Sequence, residues 1–464
     1  MVLSAARSWL LVGCAVLGAC KDKGTDQAGD DPRGAKPAPG STPSAAPAAG
    51  SGAGLEAAAP EPPPPPPFDP RGAGPAYLGV QGSGLVRVSD GKAETLIEHT
   101  YALYDIVIDG KGVVYVAAIG GMWSIAGRKV TKLPAEGKNY ERLAIGPDGA
   151  LWALENQRLD RWDGKAWTDA GYSGDYADDL AVDGAGRVWV TTPDVLWRLD
   201  GTTWSKVDGK FTGTRQPFFR AITAGPAGEI YVSCFNGVFV NEGDTWKKVF
   251  SSGDDLAIGA DGLVAASGGL DGLAIRAPGG APRTFKLGKT GAKGQRAKVM
   301  AVDGGGRTWL ATDNGVAILD GEGALVQQWS PGTVPGITGA IEALAVAGKG
   351  PRLPELTAAV RGTVTGKVLH KGKPVAGAAI EMCASPAGLS YTHDTPCGGA
   401  PAVYTGVTGA DGTFELAGVA VGSYGFALRP KRTWFVTMGT DRCCTTLEAG
   451  GTYDVGSLTL DKLE

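Results

Sequence analysis

The residues that could carry chemistry in this 464-residue chain are few and widely spaced. Its three histidines are His99, His370 and His393, and they form no recognisable Ser-His-Asp set. The chain contains no nucleophile elbow, no Walker A sequence and no H-E-x-x-H sequence. Acidic residues cluster at 175–179 and 254–255, but they lack the alternating oxygens and closing glutamate of a calcium loop. We therefore expect no catalytic site, no bound metal and no cofactor.

Four of the cysteines lie near the C-terminus, namely Cys383, Cys397, Cys443 and Cys444. An even number of cysteines in an exported domain predicts disulfides. Four cysteines allow three pairings, and a bond between the neighbours Cys443 and Cys444 would close a strained small ring. We therefore expect each of these neighbours to pair with Cys383 or Cys397. The alternative is a metal site that joins the two neighbours with His393, although this spacing matches no zinc module.

The composition favours an all-β chain and argues against some classes of function. Glycine accounts for 74 residues and has no Gly-X-Y period, so a collagen-like chain is excluded. Many glycines separate short apolar runs, which is typical of strands joined by turns. The net charge is −4 without a long Lys/Arg block, so a nucleic-acid partner is not expected. Cys234 has no obvious mate and is expected to be a buried thiol.

The N-terminus has the features of an export signal. Arg7 precedes an apolar segment from Trp9 to Leu17, which is shorter than the about 20 residues that span a bilayer and matches a secretory signal. The segment ends in LGAC, which resembles the lipobox of bacterial lipoproteins. This resemblance implies a signal peptide over 1–19 and a lipid on Cys20, and the following lysine implies the outer membrane of the cell envelope. An ordinary signal peptide with a chance cysteine is the alternative.

Residues 20–75 form a segment rich in Pro, Ala and Gly that includes the run PPPPPP at 62–67. Such a composition cannot bury enough apolar surface to offset the entropy of ordering the chain. We therefore predict a disordered tether with a stiff polyproline stretch, which would hold the folded domains away from a membrane. A proline-rich docking peptide is the alternative.

A repeated unit occupies the centre of the chain. In each copy, a short apolar run and a Gly/Asp turn precede an aromatic-rich run such as RVWVTT, and a third apolar run follows. The glycines that precede the second run are Gly112, Gly149, Gly186, Gly228, Gly262 and Gly306. Neighbours in this series lie 34 to 44 positions apart, which corresponds to one blade of a β-propeller. The tryptophans at repeated positions predict core packing rather than sugar stacking.

The two ends of the array predict how many blades there are. Residues 77–97 contain the later strands of a blade, whereas 341–346 is a first strand whose blade does not continue. Joining the two halves closes the ring and removes open sheet edges. We therefore predict a seven-bladed β-propeller over 76–350. Six or eight blades remain alternatives, because the unit at 256–287 is degenerate.

The repeats VDGAGRVWVTTPDVLWRLDG and VDGGGRTWLATDNGVAILDG resemble the two-component-regulator-type propeller repeat. The resemblance implies a periplasmic sensing or binding module. The region also resembles the streptogramin lyases in fold, and those enzymes rely on catalytic histidines. The matching inner positions of this chain lack histidine, so lyase activity of that kind is not expected.

The pattern changes after about residue 358. VRGTVTGKVLHKGKPVAGAAIEMC (360–383) and TGVTGADGTFELAGVAVGSYGFAL (405–428) consist of strand-like runs around Gly-containing turns. They resemble the carboxypeptidase-regulatory-like domain, which is non-catalytic despite its name. The resemblance implies a prealbumin-like or Ig-like β-sandwich over 358–464, from which the insert at 384–402 departs.

Loops that do not repeat are the candidates for binding. In propellers the loops between blades and those between second and third strands usually crowd one rim, and exposed aromatics with arginine favour interfaces. The candidate binding residues on this rim are Tyr140, Tyr172, Tyr176, Arg215, Phe218, Phe219, Phe235 and Asn236. The alternative is that Phe218 and Phe219 only fasten a long loop to its blade.

Three functions follow from these patterns. The leading hypothesis is a lipid-anchored envelope protein whose propeller binds a protein, peptide or glycan without catalysis, and which touches the membrane only through its lipid. The second is a hydrolase or lyase that acts on wall or glycan polymers through rim carboxylates such as Asp178 or Asp179. The third is a structural spacer of the envelope without a ligand.

Overall fold

The computed structural model describes residues 73–463 except 82, 99–101, 136, 215, 243–244, 269–271, 288–296, 298, 313–314, 384–394, 399–401, 437–442 and 445. The elements whose bounds are described are strands, apart from one short 3-10 helix at Gly209–Thr212. Cys20, the signal peptide and nearly all of the tether lie outside the described residues. No helix in the described part of the chain has the length and apolar character needed to cross a membrane.

Twenty-eight strands form the N-terminal domain. In chain order they are β1 (Ala73–Val80), β2 (Gly84–Ser89), β3 (Lys92–Ile97), β4 (Leu103–Ile108), β5 (Val114–Ala118), β6 (Gly121–Ala126), β7 (Lys129–Lys132), β8 (Arg142–Ile145), β9 (Leu151–Glu155), β10 (Arg158–Trp162), β11 (Trp167–Asp169), β12 (Asp179–Val182), β13 (Val188–Thr191), β14 (Leu196–Asp200), β15 (Thr203–Val207), β16 (Ala221–Ala224), β17 (Ile230–Cys234), β18 (Gly237–Glu242), β19 (Thr245–Phe250), β20 (Asp255–Ile258), β21 (Val264–Gly268), β22 (Gly272–Arg276), β23 (Arg283–Lys286), β24 (Val299–Val302), β25 (Thr308–Thr312), β26 (Gly315–Leu319), β27 (Leu325–Trp329) and β28 (Ile341–Gly348).

These strands form a seven-bladed β-propeller. Each group of four consecutive strands from β4 to β27 is one antiparallel sheet, which gives blades 1 to 6, and blade 7 joins β28 to β1, β2 and β3. Strand β28 pairs antiparallel with β1, and Leu344 lies opposite Leu78. The prediction that the two ends of the array complete one blade is therefore confirmed. The degenerate unit also forms a full blade, from β20 to β23.

The repeated glycines occupy the turn between the first and second strands of blades 1 to 6. All six have positive φ, between 78° and 85°, a region in which side chains with a Cβ are strained. In blade 3 the Gly186 N–H donates to the Asp183 carbonyl over 2.9 Å. Glycine at this position is therefore what allows the tight turn that starts each hairpin.

The propeller core lies between blades, because the sheets bury both faces against their neighbours. Trp189 and Trp309 are fully buried, and their indole nitrogens donate over 2.9 Å to Asp183 and Asp303 respectively. The prediction that the repeated tryptophans pack in the core is confirmed for these two residues.

The C-terminal domain is a β-sandwich of two four-stranded sheets. Its strands are β29 (Arg361–His370), β30 (Lys373–Pro374), β31 (Ala379–Cys383), β32 (Tyr404–Val407), β33 (Thr413–Ala420), β34 (Gly425–Arg429), β35 (Phe435–Val436) and β36 (Thr452–Leu460). One sheet has the order β30-β29-β33 with β36 parallel to β29, and the other has the order β32-β31-β34-β35. Val364 and Phe414 of the first sheet share one core with Ile380 and Phe426 of the second.

The cysteine pairing expected from the sequence is wrong. The structure bonds Cys383 to Cys397, with their Cα atoms 5.9 Å apart, and pairs Cys443 with Cys444. Only 14 positions separate the first pair, so this bond closes a short loop at the end of β31. Cys234 is a free thiol and is buried, as predicted.

Candidate functional site

The first strand of every blade lines the centre of the propeller. These inner strands are β4, β8, β12, β16, β20, β24 and β28, and each contacts the next around a closed ring. They all run in the same direction along the central channel, because each begins after a loop from the preceding blade. We call the end of the channel where they begin the mouth.

Charged residues stand at the start of five inner strands and surround the mouth. They are Asp105, Arg142, Asp179, Asp255 and Glu342. The four carboxylates bridge neighbouring blades, since each accepts a hydrogen bond from a backbone N–H of the next blade. The donor–acceptor pairs are Leu143 to Asp105 (2.8 Å), Ile222 to Asp179 (3.0 Å), Met300 to Asp255 (3.1 Å) and Leu103 to Glu342 (3.1 Å).

Arg142 is the cation among these carboxylates. Its Nε lies 3.7 Å from Oδ1 of Asp179. Burial lowers the pKa of Arg142, but the nearby carboxylates, with Asp179 and Asp105 foremost, outweigh this effect and the pKa rises above its usual value. Burial raises the pKa of Asp105 to about 7, although Arg142 and the N–H groups that it accepts from oppose the shift. The mouth therefore combines a permanent positive charge with a carboxyl group that titrates near neutral pH.

Three of the predicted binding residues are exposed on the loops around the mouth. Tyr176 and Phe218 are each 45% exposed, and Phe235 is 68% exposed. The Tyr176 hydroxyl donates to Glu141 over 3.2 Å, next to Arg142. The rings of Phe218 and Phe235 meet edge to face with centroids 6.4 Å apart. We call these two phenylalanines the aromatic pair.

Phe218 has a strained backbone. Its φ is +48°, which is uncommon for a bulky side chain that is not glycine. This conformation separates two consecutive rings, because Phe219 turns into the blade core while Phe218 points outward. The backbone holds the outward position, since the N–H of Phe235 donates to the Pro217 carbonyl over 2.8 Å.

The expectation that all eight candidates lie on an exposed rim is wrong for three aromatics. Tyr140, Tyr172 and Phe219 are buried. The Tyr140 hydroxyl donates to Asp160 over 2.6 Å, and the Tyr172 ring packs against Trp204 with centroids 5.1 Å apart. These loops fold down onto their blades because a large apolar ring is more stable in contact with the core than in water.

Of the two polar candidates, Asn236 is among the described residues. The Asn236 side chain donates to the Thr212 carbonyl over 2.9 Å and so holds two loops together. Arg215 lies outside the described residues. The nearby Arg220 forms an ion pair with Asp254 and places a further cation on this face.

Asp105, Arg142 and Glu342 were not predicted from the sequence as site residues. A signal was present, because a charged residue directly precedes or enters the apolar first run in YDIVI, RLAI, DLAV, DLAI and IEALAV. Only the closed ring shows that these positions, which lie far apart in sequence, share one mouth.

The described residues contain no group of three or more His, Cys, Asp or Glu side chains that could hold a metal ion. His370 belongs to the sandwich, where its Nδ1 lies 2.8 Å from the Leu460 carbonyl oxygen. His99 and His393 lie outside the described residues. The described mouth offers ionic contact, hydrogen bonding and apolar contact with the aromatic pair.

This chain is similar in fold to several proteins of known structure. No family model and no curated protein matches this sequence. Among solved structures, the chain is similar to virginiamycin B lyase from Staphylococcus aureus at 15% identity and a TM-score of 0.42, over 52% of this chain and 92% of that one. It is also similar to YCF48 bound to D1 peptide at 13% identity and a TM-score of 0.43, over 53% and 89% of the two chains. It is also similar to a gluconolactonase from Xanthomonas campestris at 13% identity and a TM-score of 0.36, over 51% of this chain and 83% of that one.

Proposed function

We propose that this chain is a lipid-anchored protein of the bacterial cell envelope whose propeller binds a partner on the mouth face without catalysis. The partner would be an envelope or extracellular protein, peptide or glycan. The observation that carries this proposal is the aromatic pair, which a strained backbone holds outward beside a charged mouth. The lipobox-like LGAC sequence supports the anchor.

The aromatic pair is suited to the centre of an interface. Aromatic side chains are enriched in binding hot spots, and they bury much area with little loss of side-chain entropy. Phe218 and Phe235 leave large parts of their rings in contact with solvent, although burying those rings in the core would be favourable. A partner that covers both rings would recover this free energy.

The charged mouth would add selectivity rather than most of the affinity. Its carboxylates already accept backbone hydrogen bonds, so the mouth is held in shape before a partner arrives. Electrostatic complementarity of this kind mainly favours correct partners and raises association rates. A partner with basic or hydroxyl groups next to an apolar group fits both parts of the face.

Site-specific crosslinking in living cells tests the proposal. A photo-crosslinking residue at Phe235 should give a discrete adduct that mass spectrometry can identify, and the double variant F218A/F235A should lose capture of that same partner. A crosslinker at Lys165 is the matched control, because this exposed residue lies in the turn between the third and fourth strands of blade 2, away from the mouth. Equal adducts from both positions, or unchanged capture by the folded double variant, would contradict the proposal.

A hydrolase or lyase that acts on wall or glycan polymers is the second candidate. The observation that favours it is the raised pKa of Asp105, because a carboxyl group that titrates near neutral pH can act as a general acid. Against this role, both Asp105 oxygens accept backbone N–H groups over 2.8 Å, as expected of a structural carboxylate. Cleavage in a panel of polymers that disappears in both D105N and D179N would favour the enzyme.

A structural spacer is the third candidate, and it predicts no saturable partner. The crosslinking experiment separates it from the first, since a spacer would give no discrete adduct at Phe235.

A further inference from the structure

A recurrent packing arrangement fills the space between neighbouring blades. In blades 1, 3 and 4 the third strand carries an aromatic residue that faces the preceding blade, and a lysine lies opposite it on the fourth strand. Each lysine lies over its ring at 4.9 to 5.9 Å from the centroid. The pairs are Trp123 with Lys132, Trp197 with Lys206 and Phe239 with Lys248.

Blade 5 departs from this arrangement. Ala274 stands at the aromatic position and Thr284 stands opposite it. Ala274 faces blade 4, since it shares a core cluster with Tyr231 and Val238 of that blade. A pocket of about 250 Å³ lies here, and its lining includes Ser252, Ala266, Gly268, Ala274, Thr284 and Lys286.

Other blades without an aromatic at this position fill the space in other ways. In blade 2 the position is Asp160, and the Tyr140 hydroxyl binds it. In blade 7 the position is Val86, which packs in a core cluster with Val334 and Ile337 of the preceding loop. Ala317 of blade 6 is fully buried in a cluster that includes Leu287.

The loop before blade 5 fills little of the blade 5 pocket. Before blade 4, the longer loop inserts Phe211, which packs against Phe239 with centroids 5.5 Å apart. The corresponding residue beside the blade 5 pocket is Ser252, on a short loop between β19 and β20. Blade 5 therefore lacks both rings that close the matching space in blade 4.

We propose that the blade 5 pocket binds a planar aromatic ring with an acidic substituent. Blades 1, 3 and 4 place an aromatic ring at the same position, and a cavity of about 150 Å³ is enough for benzene. Lys286 lies two positions from Thr284 on the same strand, and both residues line the pocket. Its ammonium group can pair with a carboxylate on the ring. The ring could belong to a free aromatic acid or to an aromatic side chain beside an acidic one in a polypeptide.

Saturation-transfer NMR on the full chain, with indole-3-acetate, indole and tryptamine as probes, tests this proposal. Indole-3-acetate should bind saturably and more tightly than indole, and tryptamine should bind most weakly. A274F places a ring in the pocket, and S252F reproduces the loop ring of blade 4. Each substitution should therefore lower the affinity for indole-3-acetate by about tenfold or more. K286Q should lower the affinity for indole-3-acetate to that for indole, whereas the control K132Q should leave both affinities unchanged.

Two results would overturn the proposal. One is the lack of saturable binding of indole-3-acetate to the wild-type chain. The other is unchanged binding in S252F, whose substitution lies on an exposed loop and should leave folding intact, or in a folded A274F. The double variant F218A/F235A should retain indole-3-acetate binding, which separates this pocket from the proposed function of the mouth. A blocked Asp-Trp-Asp peptide that binds more tightly than indole-3-acetate would identify a polypeptide side chain as the source of the ring, and weaker binding would identify a free acid.

Discussion

Replacing Asp183 with alanine should destabilise the propeller more than any change on its surface turns. The Asp183 side chain is buried, and its Oδ1 accepts the N–H groups of Ala185 and Arg187 over 3.0 and 2.9 Å. Its Oδ2 accepts from Arg187 Nε over 2.7 Å and from Trp189 Nε1 over 2.9 Å. One carboxylate thus holds the first turn of blade 3 and accepts the hydrogen bond of a buried indole N–H.

The magnitude follows from what the substitution leaves behind. A buried donor without a partner costs about 1–3 kcal/mol, and bonds to a charged acceptor contribute about 1.5–3 kcal/mol. Water can replace some of the turn bonds at the partly exposed Arg187, so these contributions do not add fully. We expect D183A to lower the free energy of unfolding by about 3–4 kcal/mol, similar to the breaking of a buried charged pair.

Urea unfolding followed by tryptophan fluorescence and circular dichroism measures this loss. D148A is the control, because the half-exposed carboxylate of Asp148 accepts hydrogen bonds from Ala150 N–H and from Arg161. This variant should lose less than about 1 kcal/mol of unfolding free energy. D303A repeats the perturbation in blade 6, where Asp303 makes the same contacts with Arg307 and Trp309. Equal losses in D183A and D148A would refute the reasoning.

Three further predictions concern the mouth, the sandwich and the anchor. Because folding raises the pKa of Asp105 from 3.8 to about 7, the stability linked to this group is full below the lower value and is lost as pH rises through the higher one. D105N should therefore flatten this part of a urea-unfolding pH series, and an unchanged slope would contradict it. C383S should destabilise the sandwich by about 3 kcal/mol, because it opens a closed loop of about 15 residues. In thermal melting, a reducing agent should lower the melting temperature of the wild-type chain but cause no further loss of stability in C383S. C20S should release the protein from membranes in cell fractionation, and continued membrane attachment would exclude the lipid anchor.

The repeat pattern was enough to predict the blades because each blade depends on local signals. Gly112, Gly186 and Gly306 mark turns that need positive φ, and the aromatic runs beside them form strands that are buried on both faces. The closure of blade 7 was also predictable, since the strand at 341–346 complements the strands at 77–97. Hydrophobic periodicity and turn chemistry act over a few residues and can be read directly from the chain.

Loop orientation could not be predicted in the same way. Phe218 and Phe219 are adjacent and identical in type, yet one is exposed and the other is buried. An irregular loop has no period that assigns side chains to faces, and the φ of +48° that separates these rings is not encoded by residue type. The pairing of Cys383 with Cys397 depended likewise on which thiols come together in space, which the spacing of the cysteines does not decide.

By itself, the sequence determined the all-β class, the seven blades and the separate sandwich, because these follow from short-range patterning repeated along the chain. Only the tertiary structure decided that Asp105, Arg142 and Asp179 meet at one mouth and that the space beside Ala274 stays open. Both features depend on which side chains from different blades come within a few ångströms of each other. Ring closure sets those distances, whereas the spacing of residues along the chain does not.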